Sequence, residues 1–217
     1  MQTAGKVAGR RSSWLVLGGI LLGMCLTLKR LHAGEGPPKK AEAPRRARSR
    51  LRQLRRHLAR IVNDGDSSLY VSGYAYHSRS AYGRWTIEHL NENAWGGGFG
   101  KTLENTKGSV ASLAGTAFKD SLGNWEYNLG YMREWRTAPF DGRLTLGAGL
   151  SAMLMSRPDF FGGTPFPAVL PQLTLGYGDA TLIAVLVPPI PEDAHPANGI
   201  PGLNGDVIYA FLRIKLP

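Results

Sequence analysis

The sequence predicts an all-β fold, an eight-stranded antiparallel β-barrel preceded by a short amphipathic helix. After Gly65, apolar residues recur at every second position over most of the chain, which is the period of a β-strand. Turn signals divide this region into eight segments, and an even number of strands allows an antiparallel sheet to close on itself. Just before Gly65, the apolar residues follow the period of a helix instead.

Residues 1–33 have the pattern of an export signal. A positively charged start precedes an uncharged run from Trp14 to Leu28, and residues 31–33 form a candidate cleavage site. The run has 15 residues, which is short for a membrane-spanning helix. Lys29 and Arg30 follow it directly, which is unusual for a cleaved signal. A retained anchor therefore stays open as an alternative.

The net charge of +10 is confined to the N-terminal part of the chain. Residues 1–60 carry 15 Lys and Arg against two acids, a net charge of +13, whereas residues 61–217 carry 11 against 14, a net charge of −3. We therefore expect no nucleic-acid partner, since a folded domain of that kind needs its own basic patch. The single cysteine, Cys25, lies in the apolar run, which excludes a cysteine-ligated zinc site.

Two segments separate the signal from the strands. Residues 34–50 are rich in Gly, Pro, Ala and charged residues, a composition that predicts a flexible basic linker. Residues 51–63 carry an apolar stripe of helical spacing in an Arg-rich background, formed by Leu51, Leu54, Leu58, Ile61 and Val62. A basic amphipathic helix of this kind lies in a membrane interface beside anionic head groups, and a solvated basic tail is the alternative.

Residues 67–217 are predicted to form the barrel. In the clearest segment, Leu144 to Leu154, every second residue is apolar and the intervening positions are mixed. This pattern suits a strand with lipid on one side and a lumen on the other, although soluble sandwiches also alternate. The predicted strands lie near 68–77, 95–105, 108–119, 124–136, 142–156, 168–178, 180–188 and 206–216. The Pro- and Gly-rich stretch 189–205 predicts a long loop outside the membrane.

Several short motifs of this region contain chemically versatile residues. Y-H-S-R contains His77, F-K-D-S contains Asp120 and Ser121, and N-E-N-A-W-G-G-G-F-G lies between them. These three side chains can accept a proton, orient an imidazole and offer a hydroxyl. The motifs that follow in order are G-N-W-E from Gly123, G-Y-M-R-E-W from Gly130, P-F-P-A-V-L-P from Pro165 and L-G-Y-G from Leu175.

Together these motifs resemble the outer-membrane lipid A palmitoyltransferases, the PagP family, over about Leu69 to Leu216. The resemblance implies a transmembrane β-barrel in the cell outer membrane, preceded by a helix. It implies an acyltransferase that moves a fatty acyl chain, palmitoyl or shorter, from a glycerophospholipid to a hydroxyl of lipid A, without a metal or other cofactor. We expect a monomer whose partners are the phospholipid donor, the lipid A acceptor and the outer membrane.

The resemblance also implies roles for single residues. His77 would be the general base, Asp120 would orient its imidazole, and Ser121 would bind the reacting carbonyl or act as the nucleophile. In a regular strand, Asp120 and Ser121 would point to opposite faces, so they can share one site only at a strand end or in a loop. Arg157 matches an arginine of the family pattern and is a candidate ligand of a lipid phosphate.

The candidate contacts of the acyl chain are Met132, Tyr131 and Gly97. Relatives with palmitoyl specificity resemble G-Y-G where this chain has G-Y-M, so Met132 would raise the floor of the acyl pocket. The glycine run around Gly97 would keep its strand thin, so that an acyl chain or a neighbouring backbone can approach.

A further departure from the family pattern concerns proline. Ser72 and Ala94 stand where the family usually has proline on the first two strands. Proline interrupts the ladder of hydrogen bonds and opens a lateral gap for lipid. We therefore expect these two strands to pair without a gap.

Two other functions stay open at the level of the sequence. A non-catalytic barrel would bind an acyl chain or serve as a structural adaptor, with the basic N-terminal segment contacting a partner. An acyltransferase with a changed acceptor, such as the head group of another phospholipid, would use the same site. An acyl chain added to lipid A would separate the enzyme from the binding protein.

Overall fold

A computed structural model describes residues 42–138, 143–189 and 206–217. The predicted export signal and nearly all of the predicted loop 189–205 lie outside the described residues. All strands of the described residues lie in one compact unit, Leu54–Pro217.

The described residues include two α-helices. Helix α1 runs from Glu42 to Asp64, and helix α2 runs from Arg84 to His89. Neither is long and apolar enough to cross a membrane. Helix α1 begins well before the predicted start at residue 51, so the linker prediction is wrong for residues 42–50. Arginine is a strong helix former, and Pro44 lies in the first turn, where proline is tolerated.

Eight antiparallel strands form a closed barrel in sequence order, which confirms the predicted fold. The strands are β1 (Asp66–His77), β2 (Gly96–Glu104), β3 (Ser109–Lys119), β4 (Trp125–Thr137), β5 (Leu144–Ser156), β6 (Phe166–Tyr177), β7 (Ala180–Val187) and β8 (Val207–Lys215). Strands β1 and β8 close the barrel, from the pair Ser68 and Lys215 to the pair His77 and Val207. We call the end at His77 the upper end and the end at Asp66 the lower end.

The two faces of the barrel wall differ as the alternation predicts. Large apolar side chains are exposed on the outside, among them Leu129, Leu146 and Leu173, which is the pattern of a wall surrounded by lipid. Inward-facing side chains form two layers in the middle and lower parts of the interior. An apolar cluster contains Tyr70, Met132, Leu170, Ile183 and Phe211. Towards the lower end lies a buried polar layer that includes Ser112, Glu134 and Arg213.

The seam between β1 and β2 is open at its upper part. The two strands pair from Asp66 and Thr102 to Val71 and Gly97, although β1 continues to His77. The expected continuous pairing is therefore wrong. The interruption occurs without proline: β2 begins only at Gly96, and the chain before it forms tight turns in which the amides of Ala94 and Trp95 donate to carbonyls two residues earlier.

Candidate active site

The upper half of the barrel encloses a largely apolar cavity. His77, Asp120 and Ser121 lie along its lining at the upper end, together with Arg157. Rings of Phe118, Tyr209 and Phe211 contribute to its wall. An apolar chamber with a few polar groups at one end is the usual form of a site for an elongated apolar ligand.

His77 and Ser121 are in hydrogen-bond contact. His77 is the last residue of β1, and Ser121 lies in the turn directly after β3. The Ser121 Oγ is 3.1 Å from the Nε2 of His77. The turn is held beside the α2–β2 loop because the amide of Asn91 donates to the Ser121 carbonyl at 2.9 Å. A hydroxyl and an imidazole in this arrangement can exchange a proton.

Asp120 is adjacent to this pair but makes different contacts. Its Oδ1 accepts from the amides of Leu122 at 2.9 Å and Asn124 at 2.7 Å, and its Oδ2 lies 3.3 Å from Arg157 Nη2. No hydrogen bond joins Asp120 to His77 among the described residues. Strand β3 ends at Lys119, so both Asp120 and Ser121 reach the cavity from the turn, as a shared site requires.

The acid that contacts the imidazole is Glu92, a residue to which sequence reasoning assigned no role. Glu92 lies in the α2–β2 loop, and its Oε1 is 3.3 Å from the Nδ1 of His77. Arg79 donates to both carboxylate oxygens at 2.6 Å, and the Tyr74 hydroxyl donates to Oε2. Its position inside the N-E-N motif, which is part of the family resemblance, was the available signal.

Charges around Glu92 keep it ionised. The Arg79 guanidinium holds the pKa of the Glu92 carboxyl well below its usual range, against the opposing effect of burial. The same bidentate pair raises the pKa of Arg79. Glu92 is therefore a hydrogen-bond acceptor only.

Arg157, the candidate ligand of a lipid phosphate, is surrounded by carboxylates. It lies 2.7 Å from Asp159, 3.3 Å from Asp120 and 3.4 Å from Glu126, and its guanidinium stacks over the ring of Phe160. Burial opposes its charge, but these three acids outweigh burial and raise the pKa of Arg157. A lipid phosphate would have to compete with these carboxylates for the N–H donors of Arg157.

Only one of the three candidate contacts of the acyl chain lines the cavity: Met132 does, whereas Tyr131 and Gly97 do not. Along β4, the cavity lining includes Glu126, Asn128, Gly130 and Met132 but not the next inward residue, Glu134, so the lining ends at Met132. Tyr131 lies on the other face of β4, where its hydroxyl is 3.1 Å from His57 Nε2. Adjacent strand residues point to opposite faces, which is why Met132 and Tyr131 cannot both line the cavity.

Gly97 also lies outside the lining of the cavity. A Cβ there would stand 3.1 Å from the Tyr70 carbonyl, and a Cβ at Gly96 or Gly98 would collide with the backbone of β3. The glycine run therefore allows the neighbouring strands to approach closely and does not widen the cavity.

Comparison with known proteins places the chain in a family. The family described as "Antimicrobial peptide resistance and lipid A acylation protein PagP" matches residues 57–213. A protein of Bordetella pertussis named "Lipid A acyltransferase PagP" is 37% identical over 153 residues, which cover 70% of this chain and 78% of the relative. A protein of the same name from Legionella pneumophila is 36% identical over 153 residues, 70% of this chain and 76% of the relative. The match spans the strands, the cavity and the His77–Ser121 pair, and the chain belongs to the PagP family.

Proposed function

We propose that this protein transfers a fatty acyl chain from a glycerophospholipid to a hydroxyl of lipid A in the outer membrane. The observation that supports this most is the 3.1 Å contact between Ser121 Oγ and His77 Nε2 at the upper end of an apolar cavity. A hydroxyl and a base at the end of an apolar chamber fit a reaction on the ester end of a long acyl chain.

In the proposed reaction, an ester bond of the donor breaks and an ester bond to the acceptor forms. His77 accepts the proton of the attacking hydroxyl through Nε2 and returns it to the oxygen of the departing lysophospholipid. Ser121 donates to the developing oxyanion, or it forms a transient acyl ester before the lipid A hydroxyl attacks. Asp120 holds the turn that carries Ser121, and it is paired with Arg157.

The acyl chain would extend down the cavity towards Met132. Met132 is buried and is the last cavity-lining residue of β4 before the buried Glu134, which supports its assignment as the floor. The family is described by lipid A acylation, which is a reaction on a membrane lipid. The exposed apolar side chains on the outside of the barrel suit a monomer embedded in the outer membrane. Residues 1–33 would direct export as a signal peptide.

Mass spectrometry of lipid A tests the proposal. Cells that express the protein are compared with cells that lack it and with cells that express His77→Ala at the same level. We expect lipid A with one added acyl chain only in the first culture. Unmodified lipid A in all three, with a folded barrel in the outer membrane, would contradict the proposal and favour a binding or adaptor role. Acylation of another phospholipid head group instead would identify a changed acceptor.

A further inference from the structure

Glu92 contacts His77 from the side opposite Ser121, and the reaction proposed above gives it no role. We propose that Glu92 is a positioning residue that accepts the Nδ1 proton of His77 and thereby leaves Nε2 free as the base towards Ser121. The catalytic consequence of this assignment rests on the proposed function, whereas the tautomer itself is a property of the folded barrel.

The contacts around the imidazole determine which nitrogen carries the proton. A neutral imidazole has one N–H donor and one bare nitrogen. An ionised carboxylate can only accept, so the 3.3 Å contact between Glu92 Oε1 and Nδ1 requires the proton on Nδ1. Nε2 is then the acceptor for the Ser121 hydroxyl at 3.1 Å. This is the form that a general base needs on the Ser121 side.

The same carboxylate also fixes the position of the ring. Oε1 accepts from the backbone amide of His77 at 3.1 Å as well as facing Nδ1, so one oxygen holds both the main chain and the side chain of this residue. On another side, the ring of Tyr82 packs edge-on against the imidazole, with 5.1 Å between ring centroids. Rotation of the ring would break the contact with Glu92.

Glu92 is itself held rigidly. Arg79 donates through Nη1 to Oε1 and through Nη2 to Oε2, both at 2.6 Å, and the Tyr74 hydroxyl donates to Oε2. Bidentate pairs of this kind are strong and geometrically specific. The guanidinium also lowers the pKa of Glu92, so the carboxylate stays ionised at neutral pH.

The loop that carries Glu92 connects the two parts of the site across the open seam. The Glu92 carbonyl accepts from the amide of Ala75 at 2.8 Å, which attaches the loop to β1 where β1 no longer pairs with β2. The adjacent Asn91 donates to the carbonyl of Ser121 at 2.9 Å. One short segment therefore sets the position of Ser121 and the orientation of His77 together.

The test is Glu92→Ala in the full chain, folded in detergent micelles, because the amide oxygen of a glutamine could still accept the Nδ1 proton. Glu88→Ala is the matched control, because Glu88 makes an exposed i,i+4 pair with Arg84 on α2 and does not line the cavity. Nitrogen-15 spectra of histidine-labelled protein report the tautomer of His77, whose signal is identified by its loss in His77→Ala. Transfer from a phospholipid to lipid A is measured in parallel as separate kcat and KM values.

We expect His77 of the wild type and of Glu88→Ala to carry its proton on Nδ1. In Glu92→Ala a substantial share should move to Nε2, and kcat should fall about tenfold or more with little change in KM, as for other groups that orient a catalytic histidine. If Glu92→Ala does not fold, Glu92→Asp takes its place, because its shorter side chain keeps the charge but withdraws from Nδ1.

An unchanged Nδ1–H tautomer in the folded Glu92 variant would overturn the inference, whatever the activity. A shifted tautomer with a wild-type kcat would overturn the positioning role but leave the acyltransferase proposal intact. A shifted tautomer in a protein whose wild type transfers no acyl chain would support the assignment of Glu92 to His77 and would contradict the proposed function instead.

Discussion

At the scale of single residues, the proposed chemistry depends on His77 and Ser121. Both side chains lie at the upper end, and neither contributes to the apolar cluster that fills the middle of the barrel. Their removal should therefore affect the reaction far more than the fold.

We expect His77→Ala and Ser121→Ala each to lower the rate of acyl transfer by about 10²- to 10⁴-fold, the usual contribution of a positioned acid or base. The measurement is transfer of a labelled acyl chain by the detergent-folded barrel. His89→Ala and Ser80→Ala are matched controls, because both residues are exposed and neither lines the cavity. Near wild-type rates in both site variants would refute the assignment.

Met132 determines the depth of the cavity in this proposal. Removing its side chain in Met132→Gly should shift the donor preference to acyl chains longer by about three methylenes, each worth about 0.8 kcal/mol of burial. Activity should fall sharply for acyl chains longer than the preferred length, because overfilling a rigid interior is costly. Donors of graded chain length measure this preference.

The control for Met132→Gly is Leu129→Ala, which alters an exposed side chain on the outer face of the same strand. Leu129→Ala should keep the wild-type preference. An unchanged preference in Met132→Gly would show that the floor of the acyl pocket lies elsewhere.

At the scale of elements, the exposure of the apolar side chains of helix α1 changes along its length. Ile61 is fully buried and His57 contacts Tyr131, whereas Leu51 and Leu54 are 64% and 53% exposed among exposed arginines. An exposed apolar stripe with basic flanks is suited to the interface of an anionic membrane.

Deletion of residues 34–53 should weaken attachment to anionic membranes and leave the reaction of the folded barrel unchanged. Flotation with phosphatidylglycerol vesicles measures attachment, with phosphatidylcholine vesicles as the neutral comparison. The difference between the two lipids should shrink at high salt, since exposed charges are screened. Loss of transfer activity in a correctly folded truncated barrel would mean that this segment belongs to the active site.

At the scale of the whole molecule, a buried ion network near the lower end joins distant strands. Arg213 on β8 donates to Glu134 on β4 and, at 3.0 Å, to Ser112 on β3, and Arg136 donates to Glu134 at 3.0 Å. Glu134 is the shared acid between two cations. Its side chain is fully buried, so its loss leaves positive charge without compensation.

Glu134→Gln should therefore destabilise the barrel by about 3–5 kcal/mol, the usual effect of breaking a buried pair on one side. Denaturant unfolding in detergent measures the free energy of unfolding of each variant. Glu104→Gln is the control, because Glu104 is exposed at the end of β2. Equal stability of the two variants would argue against a structural role for the network.

The sequence by itself determined the strands, because alternation of apolar and polar residues is a local property that survives in the folded chain. All eight predicted segments correspond to strands within about two residues of their observed ends. The motif pattern shared with the family also made His77 and Ser121 site candidates, and the structure brings their side chains into contact. Two expectations were wrong: helix α1 extends into the predicted linker, because the arginines there favour helix, and β1 and β2 do not pair above Val71, which depends on the path of the chain between them.

Only the tertiary structure decided how the candidate site residues are arranged. The register of β4 turns Tyr131 outwards and Met132 inwards, and the turn after β3 directs Asp120 to its own backbone and to Arg157. Glu92 reaches His77 because closure of the barrel and the open seam bring the α2–β2 loop against the end of β1. Such contacts depend on strand register and chain closure, and these arise from pairing across the whole barrel rather than from any one segment.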